Sequence, residues 1–316
     1  MKRRDLVLIG LSGLMSGSIF LYLKVSVAEF PFMFVAMARL ILGTLILLPV
    51  IHLLRAPWPR LGEIWRPLLW VTVIGLVIPA PLMALGTSYV PSGAAALTIA
   101  TMPALTALMA STVAEDTHYD RRYLAFSIML GLLGVAFLVG PEAIGTGRDY
   151  VLGIGILLVS SLTYSIGAVE LKRRLKGPQA TILAVLQMSL AAVIVAPLGI
   201  VSFAADPPGT LDNDLLVAIA ALLALGVVGS AANFFLFTYL VMNAGPTAAT
   251  YVTLISPVIA VLLGAAVLGE ALDWRIAASL VLIMFSLATL MRSWQKPVVA
   301  VAAGDPQIAR PARADP

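Results

Sequence analysis

Few side chains in this chain could do chemistry, and most of those carry no charge. Arg39 is the one ionisable residue well inside an apolar stretch. Its guanidinium could contact an anion or carboxylate, since it pairs with such groups through two parallel hydrogen bonds. It could also tie neighbouring helix ends or carbonyls together. An offset of 148 puts the neutral Gln187 in the matching place of the second half, which favours the structural role. Uncharged polar residues gather segment by segment. Ser12 and Ser16, four apart on one helix face, lie among Gly10, Gly13 and Gly17, while Ser160, Ser161, Thr163, Tyr164 and Ser165 crowd a later segment. Thr98, Thr101 and Thr106 surround Pro103, and Tyr251, Thr253 and Ser256 precede Pro257. Asn233 stands beside Phe234, Phe235 and Phe237. Single Ser and Thr residues mostly read as helix packing, and Gly13 with Gly17 reads as a small-residue contact. Asn233, Tyr164 and Tyr251 read otherwise, because an amide or phenol deep in an apolar segment needs a partner that a water-filled cavity supplies. Pro103 and Pro257 each remove a helix hydrogen bond and free a carbonyl, so both are candidate hinges. Pro79 and Pro81 add a break that the corresponding later segment lacks, where Asn233 stands in place of Pro79.

Enzymatic constellations are missing. The sequence has no Gly-rich phosphate loop with a Lys, no HExxH pair, no Gly-x-Ser-x-Gly elbow and no cysteine. No catalytic residue, metal site or cofactor is therefore assigned. The nearest approach to a titratable cluster is Glu115, Asp116, His118 and Asp120, which reads as a solvated turn. Tyr89, near another turn, adds an aromatic to the candidate cavity. No carboxylate lies at the middle of an apolar segment, the usual place of a titrating group in a proton-coupled pump. Facilitated diffusion or exchange is expected over proton antiport.

The elements that must position these residues are helices in a membrane. Of 316 residues, 60% are hydrophobic and 11% charged, where soluble domains carry about 25% charged residues. Residues 67–114 and 215–269 hold no charged side chain, and each run is cut by a turn, Val90-Pro91-Ser92-Gly93 and Asn243-Ala244-Gly245-Pro246. An offset of 154 aligns Gly75 with Gly229, Pro103 with Pro257, Asp116 with Glu270 and Arg121 with Arg275. Ten spans are expected, at about 6–24, 31–54, 67–88, 92–114 and 123–140, then 151–171, 179–202, 215–239, 247–269 and 274–291. The first resembles a signal peptide with Val25-Ser26-Val27-Ala28 as a cleavage-like site, but removing it would break the repeat. With the N-terminus in the cytoplasm, inside segments hold sixteen Lys and Arg residues and outside loops three, namely Lys24, Arg148 and Arg275. Five spans per unit is an odd number, so the second unit enters the membrane inverted. The fold class expected is all-α integral membrane, two inverted five-helix repeats at 1–146 and 147–292 around a central cavity, with a disordered cytoplasmic tail at 293–316. Inverted repeats belong mostly to transporters that alternate access, which outweighs a static scaffold or a membrane enzyme.

Pro31-Phe32-Met33-Phe34-Val35-Ala36-Met37-Ala38-Arg39 resembles the second helix of EamA-type proteins of the drug/metabolite transporter superfamily. Ser256-Pro257-Val258-Ile259-Ala260 through Leu268-Gly269-Glu270-Ala271-Leu272 resembles their ninth helix and its terminal Gly-Glu pair. The resemblance implies a ten-helix basket whose cavity is lined mainly by spans one, three, four, six, eight and nine. It also implies export of amino acids or other metabolites, and the chain looks most similar to bacterial aromatic amino acid exporters. Glu115-Asp116 replaces the Gly-Glu pair in the first half, which leaves the gate role of that edge open. A phosphorylated cargo would want several Lys or Arg inside the membrane, and a lipophilic cation a buried carboxylate. The expected substrate is an aromatic or other neutral amino acid, or a similar small metabolite, exported across the bacterial inner membrane; multidrug efflux is the alternative. Partners are that small molecule and the lipid bilayer, with no nucleic acid, and a monomer is expected.

Overall fold

The computed structural model describes residues 3–54, 59–113, 120–139, 147–176, 180–209, 212–245, 249 and 252–293. Every described element is helical. The first part of the chain forms α1 (Arg3–Glu29), α2 (Phe32–Leu54), α3 (Leu61–Thr72), α4 (Pro79–Tyr89), α5 (Ser92–Ile99), α6 (Met102–Val113) and α7 (Arg121–Val139). The second forms α8 (Arg148–Arg174), α9 (Ala180–Ala205), α10 (Asn213–Ala224), α11 (Asn233–Ala244), α12 (Val252–Leu268) and α13 (Trp274–Ser293). Eight helical stretches among the described residues are long and apolar enough to cross a membrane, and Ile255–Leu268 and Trp274–Leu290 are shorter apolar helices. In the bilayer core, backbone amides and carbonyls must pair within their own helix, which is why apolar sequence of this length takes this form.

Three long spans are not α-helical throughout: Ser92–Thr112 breaks between Ile99 and Met102, and two others contain a wider turn. Val73–Val77 joins α3 to α4 as a π-helix, and Leu225–Ala232 joins α10 to α11 in the same way. The first has a visible cause: Pro79 and Pro81 lack amide hydrogens, and the amide of Ile78 reaches back five residues to the Val73 carbonyl at 3.0 Å. The second corrects the sequence reading, which expected an irregularity only where those prolines stand. It falls in a proline-free run of small residues, where Leu42 of α2 presses on Gly226 and Ile19 of α1 on Gly229. A second correction concerns Lys24. Helix α1 continues to Glu29, so Lys24 sits within the helix and not in a loop.

Elements of the two parts pack chiefly on each other: α7 on α13, α2 on α9, α1 on α12 and α4 on α8. Small residues make these seams. Gly13 and Gly17 receive Ile255 and Ile259, so α1 and α12 run parallel. Gly86 lies against Gly153 and Leu157 while Gly75 meets Gly167, so α4 and α8 run antiparallel. Ser12 pairs with Asn233 and Ile19 with Gly229, so α1 opposes the span that contains α11. Between α7 and α13, the Ser286 hydroxyl donates to the Ser127 carbonyl at 2.6 Å. The stretch Ser92–Thr112 is 83% buried, against half or less for each of the other long stretches, so it runs through the middle of the bundle.

Candidate functional site

A cavity opens where both parts of the chain meet. Its walls take Ser16 from α1, Arg39 from α2, Gly75 and Leu76 from the first π segment, and Met83 from α4. The other part supplies Tyr164 and Gly167 from α8, Gln187 from α9, Gly229 and Ser230 from the second π segment, and Asn233, Phe237 and Thr238 from α11. The space open to water centres is about 100 Å³, well above what a single water needs. Both π segments therefore border the cavity, and the wider turn brings Gly75 and Gly229 to its wall. The glycine at 167 is obligatory for this shape: a Cβ there would lie 2.2 Å from the Cα of Gly75.

Of the residues singled out in the sequence, Ser16, Arg39, Tyr164, Asn233 and Phe237 share this cavity. Ser12 is fully buried behind it and donates to the Asn233 side-chain oxygen at 2.6 Å. Thr98 and Thr101 are buried away from it. The Thr98 hydroxyl donates to the Ala94 carbonyl, and that of Thr101 donates to the Thr98 carbonyl at 2.8 Å and meets Ser161 at 3.2 Å. Tyr89 is 38% exposed and borders a separate depression with Glu29 and Asp206. Tyr251, the Glu115–His118 cluster and the tail beyond Ser293 lie outside the described residues. Spans two and seven, absent from the expected lining, supply Arg39 and Gln187. Arg39 is 5% exposed; its Nε donates to the Ser230 hydroxyl at 3.1 Å and its Nη1 has no partner. No Asp or Glu borders the cavity among the described residues.

One end of the bundle is fastened by two charges that the sequence reading left out of the site. Lys24 donates to the carbonyls of Thr87 (3.2 Å), Ser88 (3.1 Å) and Val90 (2.9 Å), where α4 ends. The Glu270 carboxylate accepts from the Ser92 amide (2.7 Å), the Ser92 hydroxyl (2.8 Å) and the Gly93 amide (3.4 Å), where α5 begins. A cation on carbonyls and an anion on free amides each complement the helix end they meet. The signal for Glu270 was the Gly269-Glu270 pair: Gly269 takes φ +66°, open to glycine at little cost, and turns the chain back onto α5. Gly264 leaves the room, since a Cβ there would lie 2.3 Å from a Glu270 oxygen. At the opposite end Lys172 donates to the Met242 carbonyl, joining the ends of α8 and α11. The cavity reaches Leu171, Thr238 and Val252 on that side.

An all-helical bundle with an internal, sparsely charged cavity between two similar units defines a membrane carrier. The EamA-like transporter family model matches residues 4–140 and again 151–292, so the chain belongs to that family and carries two of its units. It is 28% identical over 300 residues to the Uncharacterized inner membrane transporter YedA of Escherichia coli (strain K12), covering 90% of each chain. The protein of the same name from Escherichia coli O157:H7 matches equally. A solved crystal structure covers 93% of this chain and 98% of its own at a TM-score of 0.65 and 20% identity, a likeness of fold alone.

Proposed function

We propose that this chain is a ten-span secondary transporter of the bacterial inner membrane, built of two inverted five-helix units and exporting aromatic or other neutral amino acids, or related small metabolites, by alternating access. The observation that carries the reading is the cavity itself, shared between the two units and walled by Phe237, Tyr164 and polar side chains. The inner-membrane assignment draws on the YedA relatives. The inversion is supported by helix direction: α4 runs opposite to α8 and α1 opposite to the span of α11, while Lys24 on the Thr87 and Val90 carbonyls brings the ends of α1 and α4 together, so each runs opposite to its repeat mate. The surplus of Lys and Arg places both termini in the cytoplasm, with Lys24 and Glu270 at the outer face. In that frame the cavity extends towards the cytoplasm and the outer end is fastened, the arrangement of a carrier ready to load from inside. The protein works as a monomer. Three methionines near the cavity, Met83, Met102 and Met188, favour a second reading, efflux of varied apolar compounds, because thioethers adapt to many shapes.

Counterflow of labelled amino acids in proteoliposomes, with and without a pH gradient, tests the proposal. Saturable exchange competed by aromatic amino acids is expected. Absence of flux for every amino acid, in folded protein that moves lipophilic drugs, would replace it by the efflux reading.

A further inference from the structure

The Arg39–Ser230 pair deepens that reading and rests on it. We propose that Arg39, held in place by Ser230, is the anchor for a carboxylate on the transported molecule, so that the cargo is a carboxylate-bearing molecule with an apolar body.

Several observations converge. Arg39 is 5% exposed and borders the cavity, and Ser230 holds its Nε from a segment 191 residues away in sequence. Its Nη1 has no partner, although a guanidinium in a membrane interior is costly unless its donors are satisfied. A purely structural arginine would spend those donors on carbonyls or on an acid. Among the described residues no acid borders the cavity, and the neighbouring wall offers Tyr164 and Gln187. With Nε occupied by a protein hydroxyl, Nη1 keeps unspent N–H donors, which a carboxylate oxygen of a bound ligand would satisfy. A phosphate dianion would leave a net negative charge against a single guanidinium. A single carboxylate balances the one guanidinium. Phe237 and Met83 give the rest of the molecule an apolar wall, and the Thr238 hydroxyl, also buried without a partner, offers a second polar contact. Ser230 is a positioning residue: its hydroxyl accepts from Arg39 Nε and so restrains the guanidinium.

The test is a ligand series on the whole protein in detergent, read by thermal shift and by calorimetric titration. L-phenylalanine and 3-phenylpropanoate should both bind, and 2-phenylethylamine, which lacks only the carboxylate, should bind about tenfold more weakly or worse. Arg39→Gln and Arg39→Lys should each cost the acids about tenfold or more, and Arg39→Gln should not weaken the amine, which is itself a cation. Ser230→Ala should narrow the acid-to-amine ratio without abolishing either. The wild-type series needs no variant to fold, so it stands if Arg39→Gln does not. Equal binding of amine and acid by the wild type overturns the anchor, as does undiminished acid binding by a folded Arg39→Gln. In either case counterflow of phenylalanine would leave the transport reading intact. Absence of binding by all three compounds also overturns the anchor, and counterflow of other solutes then decides the transport reading separately.

Discussion

Pro103 and Pro257 occupy matching places in the two units, yet the helix breaks only at the first. In the first unit α5 ends at Ile99 and α6 starts at Met102, so Pro103 falls in a first turn, where its missing amide hydrogen leaves nothing unpaired. In the second, α12 runs from Val252 to Leu268 with Pro257 in its interior. The residues around the prolines explain the difference. The break is held by the Thr101 hydroxyl, which bonds the Thr98 carbonyl and reaches Ser161 of α8. The offset of 154 puts Val252 and Ile255 at those places in the second unit, and Ile255 packs on Gly13 instead. A proline alone does not open a helix; here the broken turn is held by a hydroxyl that bonds a carbonyl three residues back, and no such hydroxyl stands at the matching place of the second unit. The two prolines are therefore not equivalent as hinges. The π segments show the same inequality. At Gly75 one is pressed backbone to backbone against Gly167, whereas the glycines of the other, Gly226 and Gly229, meet side chains, those of Leu42 and Ile19.

That last contrast predicts the largest effect. Gly167→Ala would drive a Cβ to 2.2 Å from the Gly75 backbone and should cost about 3 kcal/mol in thermal unfolding. Gly229→Ala meets only side chains, Ile19 at 2.9 Å and Leu225 at 3.1 Å, with no backbone in the way, and should cost less, about 1 kcal/mol. Equal losses would show that the two π segments are packed alike after all.

Glu270→Ala removes an acid that three donors share at one helix start, a change expected to cost about 1–2 kcal/mol. Because the chain has no cysteine, a Met83→Cys reporter can be read cleanly. Labelling from the outer face by an impermeant maleimide should rise several-fold when Glu270→Ala is added. Unchanged labelling would mean that this end is closed by packing and not by the charges.

Thr101→Ile makes the first unit copy the second and should lower the maximal transport rate severalfold, with about 1 kcal/mol lost in stability. Pro257→Ala restores the amide bond to the Thr253 carbonyl and should raise stability by about 1 kcal/mol, whereas Pro103→Ala should shift it by less than about 0.5 kcal/mol. Opposite results for the two prolines would reverse the assignment of the hinge. The smallest effect belongs to Tyr89→Phe, which alters a side chain away from the cavity and should change transport less than about twofold.

The sequence alone determined the class of molecule. Charge-free runs longer than one span, their turns and the offset of 154 follow from rules that act locally: apolar length, backbone satisfaction and glycine or proline at turns. It also found Arg39, Tyr164 and Asn233, because a strongly polar group deep in an apolar helix stands out wherever it points. Tyr89, Thr98 and Thr101 have the same residue types but face elsewhere, and a position along one helix does not say which neighbour it meets. Only the tertiary structure decided that Arg39 rests on Ser230, that Lys24 and Glu270 close on the same turn, and that a proline-free run winds as a π-helix. Those facts depend on residues 63 to 210 positions apart, brought together by packing, and no local pattern encodes such a meeting.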